Sequence, residues 1–320
     1  MKKILAVMLT ALSAALMLTG CSDNKIKIGV IQLVEHPALS AAYQGFVDGL
    51  AEAGYVKGKN IRIDYQNAQG EQSNCVTIAS KLVNDRSDLI LAIATPAAQA
   101  VANITDTIPI LVTAVTDPQS AQLVQTNELP GTNVSGTSDL TPCAAQINLL
   151  RRLVPNAKRV AMLYCSSEQN SKFQVDLAKA QCDLVGLSYV DATVSNTNEV
   201  QQVMQSLVGK VDVIYTPTDN MIASCMATVS MVANENRIPV ICGEDGMVQG
   251  GGLATYGINY YELGKQTAAM AVEILRDGKN PAEMPIQYQE KSDNFSYNAD
   301  TAAQLGITIP EDLLAQVAAN

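Results

Sequence analysis

The sequence predicts an α/β protein of two Rossmann-like parallel-sheet lobes joined by three crossovers and preceded by a cleavable leader. Three observations carry this. Apolar strand-like runs alternate with helix-spaced apolar stripes along most of the chain, the alternation pauses twice and restarts, and 320 residues exceed one ordinary core of roughly 100–200 residues.

The leader is residues 1–20. Lys2 and Lys3 make a charged start, Ile4 to Leu18 is apolar apart from Thr10 and Ser13, and the run is short for a membrane span, which needs ~20 residues. Leu18-Thr19-Gly20-Cys21 resembles the bacterial lipobox, a likeness that implies a lipoprotein signal peptide cut before Cys21 and lipidation of its sulfur with palmitate-type acyl chains. Two such chains anchor stably where one is marginal. Residues 21–25 then form a lipidated tether, and the protein is expected on the cell membrane, facing outside the cytoplasm on the extracellular or periplasmic side.

Ile26 to Ile31 reads as the first strand, followed by the loop Gln32 to Pro37 and a helix striped by Leu39, Tyr43, Phe46, Val47 and Leu50 that stops at Gly54. The unit repeats. Ile61 to Tyr65 is a strand, Ile78 and Leu82 mark the next helix, and Leu89 to Ile93 is a continuous apolar strand of the doubly buried kind. Thr95 and Pro96 suit the start of another helix, whose free N–H groups attract an anion. The strand Ile108 to Val112 ends in Thr113 to Pro118, which gives four strands in one sheet. Asn133 to Asp139, small and polar, then reads as a crossing between lobes.

The second series holds a helix near 142–153, the strand Arg159 to Tyr164, a helix with Phe173, Leu177 and Leu184 inward, and the strand Leu187 to Val190. A helix with Val203, Met204 and Leu207 follows, then the strand Val211 to Tyr215, a helix from Met221 and the strand Ile238 to Cys242. Tyr164 to Ser171 sits where a parallel strand ends and a helix begins, so it reads as a binding loop. Gly250-Gly251-Gly252 lacks the Lys-Ser/Thr of a phosphate loop and reads as a hinge or tight loop before a return crossing. Asn259 with Glu262 caps the next helix, which Gly278 and Pro281 end. Met284-Pro285-Ile286 reads as the third crossing. Lobe 1 is therefore 26–138 plus 254–284, and lobe 2 is 139–253 plus 285–320.

Composition narrows the function. Loss of Lys2 and Lys3 with the leader leaves 19 basic against 31 acidic residues, without a basic cluster, so nucleic acid is not a partner. His36 is the single histidine, which removes two-His metal sites and leaves catalytic triads almost nothing to use. No metal, no cofactor and no enzyme activity are expected, and no C-x-x-C pair occurs. Cys75, Cys143, Cys165, Cys182, Cys225 and Cys242 fit buried thiols better than disulfides, since a core of this size needs no staples.

Eight stretches give the chain a specific likeness: Glu35 to Leu39, Ala94 to Gln99, Val115 to Pro118, Gly136 to Asp139, Tyr164 to Ser171, Pro217 to Asn220, Ala254 to Gly257 and Gly306 to Glu311. Together they resemble the ABC-transporter substrate-binding lipoproteins of the tryptophan/tyrosine-binding type, with the type I periplasmic-binding-protein fold. Cys165 departs from the small polar residue usual there. The resemblance implies a monomer that captures a small amino acid, Trp, Tyr or Phe, between its lobes and delivers it to a permease and its ATPase. The expected contacts are His36, Thr95, Ala97, Ala98, Thr116, Asp117, Ser166, Ser167, Glu168, Asn170, Asp219, Asn220 and Glu244, with hydroxyls and N–H groups for the ligand carboxylate and the acids for its ammonium. A sugar or nucleoside receptor on the same fold and a surface lipoprotein with an adhesion role are the rival readings.

Overall fold

In a computed structural model of the chain, residues 25–289 and 294–319 are described. The predicted leader, Cys21 and the tether up to residue 24 lie outside the described residues. Strands β1 (Ile26–Gln32), β2 (Ile61–Asn67), β3 (Leu89–Ile93), β4 (Ile110–Val115) and β5 (Val134–Ser138) make one sheet in the order β2-β1-β3-β4-β5. Strands β6 (Arg159–Cys165), β7 (Ser188–Val194), β8 (Val213–Thr216), β9 (Val240–Cys242), β10 (Ala254–Gly257) and β11 (Asn294–Tyr297) make the other, in the order β11-β10-β9-β8-β6-β7. Pairing is parallel except between β10 and β11. The two-lobed α/β architecture matches the expectation from sequence.

Period-two alternation buries both faces of the second sheet. In β6, Val160, Met162 and Tyr164 enter one core with Ile147, Leu150 and Phe295, while Ala161, Leu163 and Cys165 enter another with Val200, Met204 and Val229. In the first sheet Val30 lies opposite Leu91 on one side and Tyr65 on the other, so the apolar centre of the sheet is built from β1 and β3. All six cysteines among the described residues are free, and five of them are buried.

Four readings are corrected. The stretch Asn133 to Asp139 is not a crossing: it contains β5, a fully buried strand paired with β4. Its hydroxyls all find partners inside. Ser135 donates to the Met284 carbonyl (2.6 Å), Thr137 to the Thr113 hydroxyl (3.1 Å), and Ser138 to the Thr116 carbonyl (2.6 Å). Gly136 is needed because its φ is +141° and a Cβ would lie 2.1 Å from the Val112 carbonyl oxygen.

Residues 254–257, expected in the first lobe, form β10 of the second sheet, beside β9 and β11. The chain changes lobes only after them, because Ile258, Tyr260 and Leu263 enter the first core. Met284 and Ile286 likewise stay in that core, and the Gln287 N–H still bonds the Gly136 carbonyl, so the return falls later than the Met284-Pro285-Ile286 reading placed it. Finally, the helix Gln169–Val185 does not turn Leu177 and Leu184 inward; they are 43% and 81% exposed. Its inner face is Asn170, Ser171, Gln174, Val175, Ala178 and Cys182, a polar end aimed at the cleft and small residues that let the helix approach β6 and its neighbours.

Helix Tyr260–Asp277 is capped as expected, Asn259 accepting from the Glu262 N–H and Gly278 taking the left-handed position. It packs against helix Pro37–Glu52 through glycines. A Cβ on Gly45 would lie 1.9 Å from the Tyr261 carbonyl oxygen, and one on Gly264 2.0 Å from that of Ala42. Overpacking a tight contact costs about 1–3 kcal/mol or more. Gly264→Ala is expected to lower the urea midpoint accordingly, and an unchanged midpoint would show that the helices do not meet backbone to backbone.

Candidate functional site

The C-terminal strand ends of both sheets face each other, as ligand sites in open α/β sheets require. Between them lies a narrow cleft, lined from the first lobe by His36, Leu39, Ala114 and Thr116, and from the second by Asn170, Thr218, Asp219, Asn220, Ala223, Glu244 and Met247. Asp139 and Tyr260, at two of the crossings, complete it. No Lys or Arg among the described residues takes part.

Asp139 follows β5 directly. One carboxylate oxygen accepts from the Tyr260 hydroxyl at 2.8 Å; the other is buried and has no partner among the described residues. Burial pushes its pKa up to about 6, against the Tyr260 hydroxyl bond that favours the ionised form. A buried carboxylate with a free oxygen and no cation is a built acceptor for a positive group.

The other acids have structural duties. Asp219 caps helix Asn220–Ser224 through the Ile222 N–H (2.8 Å) and also accepts from the Cys165 N–H (2.6 Å). Glu168 reaches the same helix start, accepting from the N–H groups of Asn220 and Met221 and from the side chains of Asn220 and Asn170. Burial and the adjacent Asp219 charge push Glu168 up to about 8, and burial raises Asp219 too, so the pair holds on to a proton. Glu244 caps its own helix through Gly246 and Met247, and burial lifts it to about 7.

Polar contacts hold the lobes together. His36 Nε2 lies 3.4 Å from Asn220 Oδ1, and Gln174 donates to the hydroxyls of Thr116 (3.1 Å) and Thr218 (2.6 Å). At the lip, Gln99 donates to Gln169 (2.9 Å), and Gln169 donates to the Ser120 carbonyl. Burial drives His36 down to about 4 in spite of the Asn220 bond, so it is neutral at pH 7.

Of the residues expected from sequence, His36, Thr116, Asn170, Asp219, Asn220 and Glu244 line the cleft together. Ser166 and Ser167 are exposed, and they are spent on the Val194 carbonyl and the Cys165 thiol. Asp117 closes its own turn on the Ser120 N–H and Asn127. Glu168 stands one layer behind, orienting Asn170 and Asn220. Thr95, Ala97 and Ala98 are buried at a helix start outside the lining set, where the Ala98 N–H already bonds the Ala94 carbonyl. Thr95 is not the cap; Ala94 is, at φ 81° and ψ 151°, a region costing about 1–3 kcal/mol for a residue with a Cβ. The Thr95 hydroxyl is buried without a partner.

Sequence reasoning missed Asp139, Tyr260, Thr218, Leu39, Ala114, Ala223 and Met247 as lining residues. Asp139 was findable: once 134–138 is a strand, its polar C-terminal neighbour belongs to the cleft by the strand-end rule. Tyr260 gave no local signal beyond opening a capped helix.

The profile of the family described as ABC transporter substrate binding protein matches residues 27–320. The chain belongs to this family. It is 44% identical to a tyrosine-binding protein of Clostridioides difficile (strain R20291), over 95% of this chain and 92% of the relative. The crystal structure of an ABC domain in complex with L-Trp from Streptococcus pneumonia superposes with a TM-score of 0.88 at 41% identity, covering 91% of this chain and 98% of that one. A ligand-free, open substrate-binding protein with adhesive properties from Clostridium difficile gives 0.68 at 48% identity, covering 89% and 96%. The more similar sequence of these two superposes less well on this substrate-binding protein. The fold is the type I periplasmic-binding-protein fold, and the protein serves an ABC transporter outside the cytoplasm rather than acting as an enzyme.

Raised carboxyls stay protonated in the folded state where the unfolded chain ionises them, so their stabilisation is lost as pH rises through about 6, 7 and 8 for Asp139, Glu244 and Glu168. His36 opposes this only below its unfolded value of 6.5, where the unfolded chain binds a proton that the folded one refuses down to about 4. From pH 6.5 to about 8 the acids set the slope, below the range where the buried thiols, also raised by burial, begin to add to it. Calorimetric melts without ligand are expected to fall from pH 6.5 to about 8, with Glu168→Gln flattening the upper part; a flat profile in the parent protein over that range would refute the buried-proton account.

Proposed function

We propose that this substrate-binding protein captures a free aromatic amino acid, tyrosine or tryptophan, between its lobes and presents the closed form to an ABC permease driven by its ATPase. The single observation that carries this is Asp139, a fully buried carboxylate with one oxygen unpartnered in a cleft without Lys or Arg. The ligand's ammonium supplies the missing cation. The apolar share of the lining, Leu39, Ala223 and Met247, suits a hydrophobic side chain. The 44% identical tyrosine-binding relative and the L-Trp complex at TM-score 0.88 support the choice of ligand class. Thr95 lies outside the residues that line the cleft, but its buried hydroxyl, without a partner among the described residues and at a helix N-terminus, makes it the proposed carboxylate contact. His36, Thr116, Asn170, Asp219, Asn220 and Glu244 are the proposed remaining contacts, and a thioether-linked lipid at Cys21 is the proposed anchor of a monomer.

Isothermal titration with L-tyrosine and L-tryptophan tests this. Asp139→Asn is expected to weaken both by about 2–5 kcal/mol, ~30-fold or more, the usual cost of breaking a buried charge pair. In a thermal-shift screen a true ligand at 100 times its Kd stabilises by ~2.7 kcal/mol. Shifts with sugars or nucleosides and none with amino acids would overturn the reading.

A further inference from the structure

We propose that His36 reads the ligand's side chain as a fixed hydrogen-bond acceptor, selecting aromatic amino acids that carry a ring O–H or N–H over phenylalanine. This rests on the amino acid reading above and adds to it the feature that discriminates among aromatic ligands.

The argument runs through a relay of three side chains. Glu168 accepts from the Asn220 side-chain amide nitrogen, which leaves the amide oxygen Oδ1 facing His36 Nε2 at 3.4 Å. Glu168 is itself immobile, its two oxygens taking the backbone N–H groups of Asn220 and Met221. An amide oxygen only accepts, so the proton of the imidazole sits on Nε2. Burial keeps the ring neutral, which makes Nδ1 a bare lone pair. That atom is buried and unpartnered, and although His36 occupies the cap position of helix Pro37–Glu52, its side chain caps nothing.

Three acceptors on cleft-lining side chains lack partners among the described residues: Asp139 Oδ1, Asn170 Oδ1 and His36 Nδ1. All three want a donor. The ammonium accounts for the carboxylate, and the two neutral acceptors remain for a donor elsewhere on the ligand. A phenol or an indole brings one. A bare phenyl ring would bury these acceptors without a partner, and an unsatisfied buried polar group is what lets a site reject an analogue lacking the donor.

Because His36 is the only histidine, an untagged protein labelled with ¹⁵N-histidine shows a single imidazole. Without ligand, the nitrogen spectrum at pH 7 is expected to show Nε2 protonated and Nδ1 bare. Adding L-tyrosine is expected to shift Nδ1 as it accepts a bond, while L-phenylalanine leaves it in place. Titration calorimetry is expected to favour tyrosine and tryptophan over phenylalanine by roughly 10- to 100-fold, and His36→Phe to close that gap. Equal affinity for phenylalanine in the parent protein, a gap that survives in His36→Phe, or a proton found on Nδ1 would each overturn the role of His36 while leaving capture of an aromatic amino acid standing. If none of the three amino acids binds, the amino acid reading itself is refuted and the role of His36 falls with it.

Discussion

Two helices that meet through bare backbone set the geometry of the whole molecule. At Gly45 and Gly264 a side chain on either helix would run into the carbonyl of the other, so helix Tyr260–Asp277 is held on the first lobe although the strands on either side of it, β10 and β11, lie in the second sheet. The chain must therefore cross the cleft twice around that helix. Its first residue, Tyr260, arrives against Asp139 at the end of β5, and Thr267 further along shares a hydrogen bond with Thr137 (2.8 Å). The partner helix begins at His36, so the same contact fixes both a crossing and one wall of the cleft.

The cleft inverts the usual economy of charge. Four acids are buried around it and no cation among the described residues answers them, which burial alone makes unfavourable for their ionised forms. Three of the four recover part of that cost by accepting from helix N-termini: Asp219 and Glu168 at the helix beginning with Asn220, and Glu244 at its own. Asp139 recovers least, with one hydroxyl bond and one free oxygen. The same side chains thus brace the strand ends and set the field that a ligand enters. Lobe closure adds neutral contacts only, His36 to Asn220, Gln174 to Thr116 and Gln99 to Gln169, each modest in net energy. Such a closure is suited to opening again, because the larger electrostatic share is left for the ligand to supply.

Much of this was written locally. The runs that became β1, β3 and β6 are apolar enough to be read as buried strands, and the Asn259 cap and Gly278 stop bound their helix within a residue of where it lies. Strand ends followed from strands, and with them six of the thirteen lining residues: His36, Thr116, Asn170, Asp219, Asn220 and Glu244. Propensity, period and capping are properties of neighbours in sequence, and they survive into the fold whenever the core accepts them.

What the chain alone left open depended on distant partners. β5 is Val-Ser-Gly-Thr-Ser, which reads as a loop until the carbonyls of Met284 and Thr116 and the hydroxyl of Thr113 satisfy it. The inner face of helix Gln169–Val185 is polar and small because it looks toward the cleft and leans on β6, so Leu177 and Leu184 were left outside against their hydrophobicity. Asp139 and Tyr260 are 121 residues apart and bond only because the close helix approach, Gly45 against Tyr261 and Gly264 against Ala42, sends the chain back. Sequence determined the elements, their order and the polar character of their ends; the tertiary structure decided which lobe owns each element and which acid stands unanswered, since both depend on pairings between residues that no local pattern connects.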